Sequence, residues 1–400
     1  MRVLIISDTV EFSGAEEATL NLARILSRQE NVEVKLCSTR FEDSSVARLP
    51  FESSVRIARN KPGRVEELYG SLANPASLLR VVQHCVDVAE DFQPDIVHSG
   101  IFLSVVPSFI VGRKLNVPVV AHIHDYRLLS MTDMPFLRGS VFMPSYSNEL
   151  SNYLRMVNLY RAFFGIGLRR SLLFLYNRCD LILAVSNFVK NSMSRFLRPP
   201  LRVLYNAGFD LAQGKIGRKK SSKPTLLFCG RLSLAKGFPL FLDAADLLLK
   251  KMDAEIHVAG SGDLTPLAIK FVEAHKDVAY FHGFLRNGKF YDLVSQSHLT
   301  LHPSLSPEPC PLSVIKSVNL GTTAMASNRG GLSELLPSRY LFEPTAINIR
   351  NKVLQFFEKP EDYPPSLAID VDGDSIARQL LSTYDSATRR RSERSTRTLA

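Results

Sequence analysis

The sequence has no closely spaced cysteines and no cluster of cysteine with histidine. Its five cysteines are scattered along 400 residues, at Cys37, Cys85, Cys179, Cys229 and Cys310. Because none of them forms a C-x-x-C pair or lies beside a group of histidines, we expect neither a disulfide framework nor a zinc site. The same pattern is typical of a protein of the reducing cytoplasm.

Long apolar runs are also absent. No uninterrupted stretch reaches the ~18 residues needed to cross a bilayer, and the run Ala162–Tyr176 is interrupted by Arg169 and Arg170. The N-terminal run Val3–Ile6 is too short for the core of a signal peptide, so we interpret it as a buried strand. We therefore expect a soluble or peripherally membrane-bound protein.

What is present is the composition of an ordinary globular chain. Hydrophobic residues make up 45% and charged residues 22% of the sequence, which excludes disorder as the global state. A length of 400 residues favours two domains rather than one.

Positive charge is in excess. The formal net charge is +10, and much of it lies in Lys215–Lys223, in Arg389–Arg391 and near Arg155–Arg178. Solvated surface is the plainest interpretation. Attraction to anionic lipid or to a lipid-diphosphate acceptor is the second, since basic residues beside aromatic ones suit a membrane surface. We expect no nucleic-acid partner, because nothing resembles a helix-turn-helix, a zinc finger or an aromatic RNA platform.

Short apolar runs alternate with helical patterns almost throughout, which is typical of parallel α/β architecture. The first set of predicted strands comprises Val3–Ile6, Val32–Cys37, Ile96–His98, Val117–His122 and Leu181–Val185. The second set comprises Thr225–Cys229, Glu255–Ala259, Val278–His282, Leu299–His302 and Thr323–Ala326. The pattern predicts two Rossmann-like domains.

Composition also suggests domain boundaries. We predict an N-terminal domain over residues 1–210, a basic linker over 211–223 and a C-terminal domain over 224–370. A helix over about 371–388 is expected to pack back on the N-terminal domain. Residues 389–400 are polar and rich in Arg, Ser and Thr, and we predict that they are disordered.

Candidate chemistry lies where predicted strands end, because open α/β sheets bind ligands there. Gly14 and Glu16 stand at a small-residue turn before a helix, where backbone N–H groups can approach an anion. His124 leaves the carboxyl end of an apolar strand, where an imidazole can handle a proton or a hydroxyl. A plain turn and a structural histidine are the simpler alternatives at these two places.

Two strand ends in the second half carry charge. The glycine turn after the first of these strands carries Arg231 and Lys236, which can hold a diphosphate and neutralise the charge of a leaving group. Glu308 lies on a loop ahead of another helix, with Pro311 suited to the first helical turn and Gly321 to the C-terminal cap. A surface salt bridge and plain stabilisation of the helix N-terminus are the alternatives.

In the order and spacing of these segments the chain resembles the retaining glycosyltransferases of family 4. That family has the GT-B fold, two Rossmann-like domains facing across a cleft. The resemblance covers nearly the whole chain. It is carried by Ser13–Glu16, Pro94–His98, His124–Tyr126, Leu183–Asn187, Val203–Asp210, Gly230–Gly237, Val258–Gly262, His282–Phe284 and Glu308–Glu334.

The resemblance implies a UDP- or GDP-sugar donor, a glycan or lipid-linked acceptor, and transfer with retention of configuration. Arg231 and Lys236 match the pair that grips the donor diphosphate. Glu308 matches the first acid of a Glu-x7-Glu motif that contacts the donor sugar, and His124 matches an active-site histidine near that sugar. No cofactor or metal is expected, because cationic side chains and a helix dipole do the work of a metal in this family.

Further positions match donor contacts of the family: Gly14, Glu16, Gly260, Gly262, Phe284, Pro311 and Leu312. The first two belong to a turn that faces the diphosphate. The next three correspond to positions that surround the nucleoside, largely through main chain. Backbone N–H groups near the last two would face sugar and phosphate.

The chain departs from the family eight residues after Glu308, where Lys316 replaces the usual second glutamate. That glutamate accepts hydrogen bonds from both ribose hydroxyls, whereas an ammonium only donates, so a contact worth ~1–3 kcal/mol is lost if nothing compensates. Either the ribose is held elsewhere, or Lys316 reaches a phosphate or a charged sugar, or the enzyme is weakened. A degenerate, non-catalytic nucleotide-sugar-binding protein is therefore the main alternative to an active transferase.

Two other enzyme classes also have α/β domains. An NAD-dependent dehydrogenase should show G-x-G-x-x-G after a strand, with an acid ~20 residues further on. Gly260 and Gly262 follow a predicted strand, but Thr265 occupies the third glycine position. A GT-B epimerase is the remaining enzyme alternative.

The acceptor side is expected in two segments rich in Phe, Leu, Met, Tyr and Arg, Arg127–Tyr146 and Tyr153–Tyr176. We expect them to contact a membrane surface and to admit a lipid-linked or growing polysaccharide acceptor, with core packing of a long helix as the alternative. The expected location is the cytoplasm, or peripherally the inner face of the plasma membrane, in a cell-surface polysaccharide pathway.

Overall fold

The structure, a computed structural model, describes residues 1–7, 14–38, 52–55, 75–129, 159–208, 220–285 and 287–399. These residues form two compact units. The first contains the described residues up to Ala207 together with those from Asp372 onward, and the second contains Gly208–Val371. Each unit holds one parallel β-sheet with helices between its strands.

The sheet of the first unit has seven strands among the described residues. They are β1 Arg2–Ser7, β2 Glu33–Ser38, β3 Glu52–Val55, β4 Ile96–Ser99, β5 Val119–Ile123, β6 Leu181–Ala184 and β7 Leu201–Val203. Their order is β3-β2-β1-β4-β5-β6-β7, and Val3 pairs with Val34 on one side and with Ile96 on the other. The central strands are buried along their length and are largely apolar, as a parallel sheet covered on both faces requires.

Helices connect these strands. They are α1 Gly14–Leu26, α2 Pro75–Phe92, α3 Val105–Lys114, α4 Leu159–Tyr176 and α5 Asn187–Met193, with a 3-10 turn at Phe102–Ser104. Helix α5 begins where the Ser186 hydroxyl accepts a hydrogen bond from the Val189 N–H, an N-cap that satisfies a free backbone donor.

The sheet of the second unit has six strands within the part of the chain that the structure describes. They are β8 Thr225–Cys229, β9 Glu255–Ala259, β10 Ala279–Phe281, β11 Leu299–His302, β12 Thr323–Ser327 and β13 Leu341–Phe342, in the order β10-β9-β8-β11-β12-β13. Its helices are α6 Phe238–Leu249, α7 Thr265–Ala274, α8 Asn287–Gln296, α9 Leu312–Asn319, α10 Leu332–Leu335 and α11 Ala346–Glu358, with 3-10 turns at Ser338–Tyr340 and Pro360–Asp362.

Helix α9 follows the strand that precedes Glu308. Pro311 is the residue that caps this helix, so it lies just before the first turn rather than inside it. Gly321 follows the helix with a φ of 75°, a left-handed conformation that favours glycine. Pro311 and Gly321 therefore lie at the two ends of α9.

The C-terminal helix α12, Gly373–Leu399, belongs to the first unit. Its apolar face is buried in the core formed by α1, β1 and β2, where Tyr384 is fully buried. The helix includes residues 389–399, for which the composition predicts disorder. Arg391 ties the start of this segment to the first unit, because its guanidinium donates to the Asp180 carboxylate at 3.3 Å and to the Gly112 carbonyl at 3.2 Å.

The predicted fold class, α/β with two Rossmann-like domains, is confirmed by these two parallel sheets. Some predicted features lie outside the described residues: linker residues 211–219, Ser13, and segments 130–146 and 153–158 of the predicted acceptor side. In the part of the chain that the structure describes, no helix is both long and apolar enough to cross a membrane.

Candidate functional site

The carboxyl edge of the second sheet brings two strand-end turns together. The Gly230 N–H donates to the Ala259 carbonyl and the Leu232 N–H to the Ser261 carbonyl, both at 3.0 Å. At Gly260, whose φ is 145°, a Cβ would lie 1.8 Å from the Gly230 carbonyl oxygen. The turns after β8 and β9 therefore approach backbone to backbone, which requires glycine.

The turn after β8 is also fixed against the loop after β11. The N–H groups of Leu305 and Ser306 both donate to the Ala235 carbonyl, at 2.9 and 3.1 Å. Gly237 has a φ of 67°, and a Cβ there would lie 1.8 Å from the Pro303 carbonyl oxygen. The segment that carries Arg231 and Lys236 is thus held against the segment that carries Glu308.

Lys236 and Glu308 form an ion pair at this contact. The Lys236 Nζ donates to the Glu308 Oε2 at 2.6 Å, and the Ser304 hydroxyl donates to the Oε1 at 2.6 Å. Burial raises the pKa of the Glu308 carboxyl, but Lys236 and Ser304 lower it, and the pKa lies below its usual value. Glu308 is therefore a buried carboxylate that is ionised at neutral pH.

The backbone of Glu308 also accepts a hydrogen bond. The Gly331 N–H donates to the Glu308 carbonyl at 2.6 Å. His302 is the last residue of β11, directly before this loop, and burial lowers its pKa to about 4. The His302 ring contacts the hydroxyls of Thr300 and Ser313 at 3.2 and 3.4 Å. A neutral imidazole therefore supports the loop and adds no charge beside the carboxylate.

Lys316, the residue that departs from the family pattern, is 92% buried, since only 8% of its surface is exposed. Its Nζ lies 5.5 Å from the ring centre of Phe290 and 5.7 Å from that of Tyr291, both on α8. Burial raises the pKa of the Cys229 thiol to about 12, while Lys316 and Lys236 act to lower it. The ammonium groups of Lys236 and Lys316 therefore both lie near the end of β8. Aromatic rings hold the Lys316 ammonium by cation–π attraction.

The remaining predicted positions of this unit lie at the same edge of the sheet. Arg231 is exposed on the turn after β8, and Gly262 follows β9. Phe284 follows β10 and exposes 53% of its surface. Leu312 is the buried first residue of α9, directly after Pro311. In the second unit the structure therefore gathers the predicted donor-binding residues around the ends of β8 to β11.

In the first unit, the predicted histidine belongs to a row of buried rings. His124 follows β5, and its ring centre lies 4.1 Å from that of His122, which lies 5.5 Å from that of His98. The His98 Nδ1 is 2.9 Å from the Tyr384 hydroxyl of α12. Burial lowers the pKa of all three histidines, that of His124 to about 3, so the rings are neutral at physiological pH.

Gly14 and Glu16 lie in the first turn of α1, whose N-terminus follows β1. Residues 8–13, which complete the predicted turn, are outside the described part of the chain. Among the residues that the structure does describe, no group of three or more His, Cys, Asp or Glu side chains is arranged to hold a metal ion.

Sequence reasoning missed several residues of the site. Ser304 lies four residues before Glu308 on the loop after β11, but nothing in the spacing shows that its hydroxyl contacts the carboxylate. Phe290 and Tyr291 are adjacent aromatic residues within α8, a signal that equally fits core packing. Their contact with Lys316 depends on the packing of α8 against α9, which sequence spacing does not give.

Two family models match the chain in succession. Glycosyltransferase Family 4 matches residues 12–212, and Glycosyl transferases group 1 matches residues 212–364. Among solved structures, Anabaena HepE in complex with UDP and glucose is similar with a TM-score of 0.69 and 18% identity, over 96% of this chain and 99% of that one. This likeness confirms the GT-B fold class.

Curated relatives match over part of their length. An uncharacterized glycosyltransferase of Methanocaldococcus jannaschii is 28% identical over 180 residues, which are 40% of this chain and 45% of the relative. A glycogen synthase of Thioalkalivibrio sulfidiphilus is 30% identical over 170 residues, 42% of this chain and 33% of that protein. The chain thus spans less than half the length of these relatives.

Proposed function

The chain belongs to glycosyltransferase family 4, and on that basis we propose that it transfers a sugar from a UDP- or GDP-sugar to a glycan or lipid-linked acceptor, with retention of configuration. The observation that carries the proposal is the Lys236–Glu308 ion pair at 2.6 Å, whose lysine lies on the same turn as Arg231. It combines cations that suit a diphosphate with a buried carboxylate that suits sugar hydroxyls. HepE, which is similar in fold, was solved with UDP and with UDP-glucose, and this favours UDP-sugars as the first donors to test.

In the proposed mechanism Arg231 and Lys236 stabilise the negative charge that develops on the departing nucleoside diphosphate. The acceptor hydroxyl attacks from the face that the diphosphate leaves, and its proton passes to the departing phosphate oxygen. Glu308 is ionised and accepts hydrogen bonds from sugar hydroxyls. The proposal assigns charge neutralisation to these cations and requires no metal ion or cofactor.

The roles of two further residues follow from their environment. His124 is proposed to contact the transferred sugar as a neutral imidazole, because burial lowers its pKa to about 3. Lys316 is proposed to bind the nucleotide part of the donor, adding a third cation to Arg231 and Lys236 at this edge of the sheet. Three positive side chains suit a diphosphate.

Lys316 also favours a second candidate, a degenerate nucleotide-sugar-binding protein, since it removes a ribose-accepting carboxylate. A screen of the purified full chain against UDP- and GDP-sugars separates the two. Calorimetry measures binding, release of UDP or GDP measures turnover, and NMR of the anomeric proton of the product tests retention. An active transferase binds one donor and releases its nucleotide slowly without acceptor. If only the Lys316→Glu variant releases UDP or GDP, the natural chain is a degenerate nucleotide-sugar-binding protein.

The acceptor proposal is supported by helix α4. Phe163 and Phe174 expose 58% and 55% of their surfaces. Arg170 is exposed on the same helix, and Arg178 is exposed in the turn that follows it. A surface of exposed aromatic and basic residues, in a chain with a net charge of +10, suits anionic lipid headgroups. We propose peripheral attachment to the inner face of the plasma membrane, with a lipid-linked acceptor of cell-surface polysaccharide synthesis.

A further inference from the structure

Two cysteines of the first unit lie side by side. Cys37 lies on β2 and Cys85 on α2, 48 positions apart in sequence, and their Sγ atoms are 3.2 Å from each other. Each side chain is 1% exposed. A distance of 3.2 Å is about 1 Å longer than a disulfide bond, so small side-chain rotations would bring the sulfur atoms to bonding distance.

The surroundings of the two sulfur atoms differ. The hydrogen bond from Cys85 lowers the pKa of the Cys37 thiol, His84 and Lys35 lower it further, and burial opposes them without cancelling them. The same hydrogen bond and burial raise the pKa of Cys85. Cys37 therefore takes the role of the thiolate, the nucleophilic form, and Cys85 that of the neutral thiol beside it.

Isolated cysteines in the same chain behave differently. Burial raises the pKa of Cys179 and of Cys229. Thiols that are buried and protonated react slowly with oxidants. The surroundings of Cys37 therefore favour the reactive thiolate, whereas those of Cys179 and Cys229 do not.

We propose that Cys37 and Cys85 form a redox-active dithiol that a hydroperoxide converts to a disulfide between β2 and α2. The Cys37 thiolate attacks one oxygen of hydrogen peroxide, the O–O bond breaks, and the departing hydroxide takes up a proton and becomes water. Cys37 is then a sulfenic acid. The Cys85 sulfur attacks the Cys37 sulfur, the S–O bond breaks, and the Cys85 proton leaves with the hydroxide as a second water. Two thiols and one peroxide thus give one disulfide and two waters.

The test uses the full-length reduced chain, treated with hydrogen peroxide, alkylated under denaturing conditions and mapped by mass spectrometry without reductant. We expect one cross-linked peptide pair, Cys37 with Cys85, two hydrogen atoms lighter than the sum of its halves and cleaved by dithiothreitol. Cys179 and Cys229 should remain alkylatable. Conversion of Cys37 to sulfinic acid beside a free Cys85, or oxidation of the other cysteines first, overturns the proposal.

Single variants test the two roles. In Cys85→Ser the Cys37 sulfenic acid should persist and be trapped by dimedone, because no resolving thiol is present. In Cys37→Ser Cys85 should stay reduced at the same peroxide concentration. Cys179→Ser is the matched control and should form the disulfide as the natural chain does. Equal dimedone labelling of the natural chain and Cys85→Ser contradicts the assignment of Cys85 as the resolving thiol.

Discussion

The Lys236 Nζ donates to the Glu308 Oε2 at 2.6 Å and joins two strand-end loops that are 72 residues apart in sequence. The Glu308 side chain is 9% exposed, whereas the lysine side chain is 38% exposed. The carboxylate therefore depends on the lysine for its charge, while the lysine can also reach solvent or a ligand. In the free protein the pair keeps both groups ionised and positioned.

A double-mutant cycle on this pair should show strong coupling. Lys236→Met leaves the buried Glu308 carboxylate without its cation, and we expect a loss of about 1–3 kcal/mol in the free energy of unfolding. Adding Glu308→Gln should restore part of that loss, because the amide is neutral. Urea unfolding of the four proteins measures the cycle, and purely additive losses would contradict the coupling. Turnover should be lost in all three variants.

Gly237 is a second point of sensitivity. Its φ of 67° and its contact with Pro303 leave no room for a Cβ, so Gly237→Ala should cost about 1–3 kcal/mol and weaken donor binding. Gly288→Ala is the matched control, because a Cβ there meets nothing within 4 Å. Thermal unfolding and calorimetry of both variants test this. Equal behaviour of the two alanine variants would show that the Gly237 contact has no role.

The row of neutral histidines predicts acid sensitivity of the first unit. Burial lowers the folded pKa of His98, His122 and His124, so below pH ~6.5 the unfolded chain binds protons that the native chain does not. Their contribution to stability is therefore fully present above that pH and is lost as the pH falls. Each histidine contributes a slope of up to about 1.4 kcal/mol per pH unit.

His122→Phe removes one of these groups while filling a similar volume. Its unfolding free energy, measured in urea between pH 7 and pH 5, should fall less steeply than that of the natural chain by about one proton's slope. Parallel curves for the two proteins would mean that His122 does not titrate differently in the folded and unfolded chains.

The surface of α4 gives a prediction about membranes. In a vesicle flotation assay at low salt, the natural chain should rise with vesicles that contain anionic phospholipid. The association should weaken as salt screens the charges. The double variant Phe163→Ser with Phe174→Ser should stay in solution. Ile347→Ser, which changes a residue on α11 that is 58% exposed, should float as the natural chain does. Failure of the natural chain to float removes the membrane proposal and leaves the transferase proposal intact.

The sequence predicts the fold class because its signals are local and repeated. Apolar runs such as Thr225–Cys229 coincide with strands, and the glycine turns that follow them are required by contacts between backbones, as at Gly260. The order of motifs predicts the family, which the two family matches confirm. The placement of Arg231 and His124 after strands follows from the same periodicity.

Relationships between side chains distant in sequence could not be predicted. Nothing in the spacing shows that Lys316 is buried against Phe290, or that Tyr384 of the last helix reaches His98. The polar composition of residues 389–399 predicts disorder, whereas the structure places these residues in α12. The contact between Arg391 and Asp180 depends on tertiary structure. Composition describes a segment by itself and carries no information about the surface on which it packs.

The measurement that tests the central claim most directly is the release of UDP or GDP from a bound donor by the natural chain and by Arg231→Ala. The account predicts that the variant loses turnover by far more than tenfold while keeping its thermal stability, because Arg231 stabilises charge on the leaving diphosphate. Arg350→Ala, on α11, is the control and should retain turnover. Near-normal turnover in Arg231→Ala would contradict the assignment of this turn as the site of the leaving group.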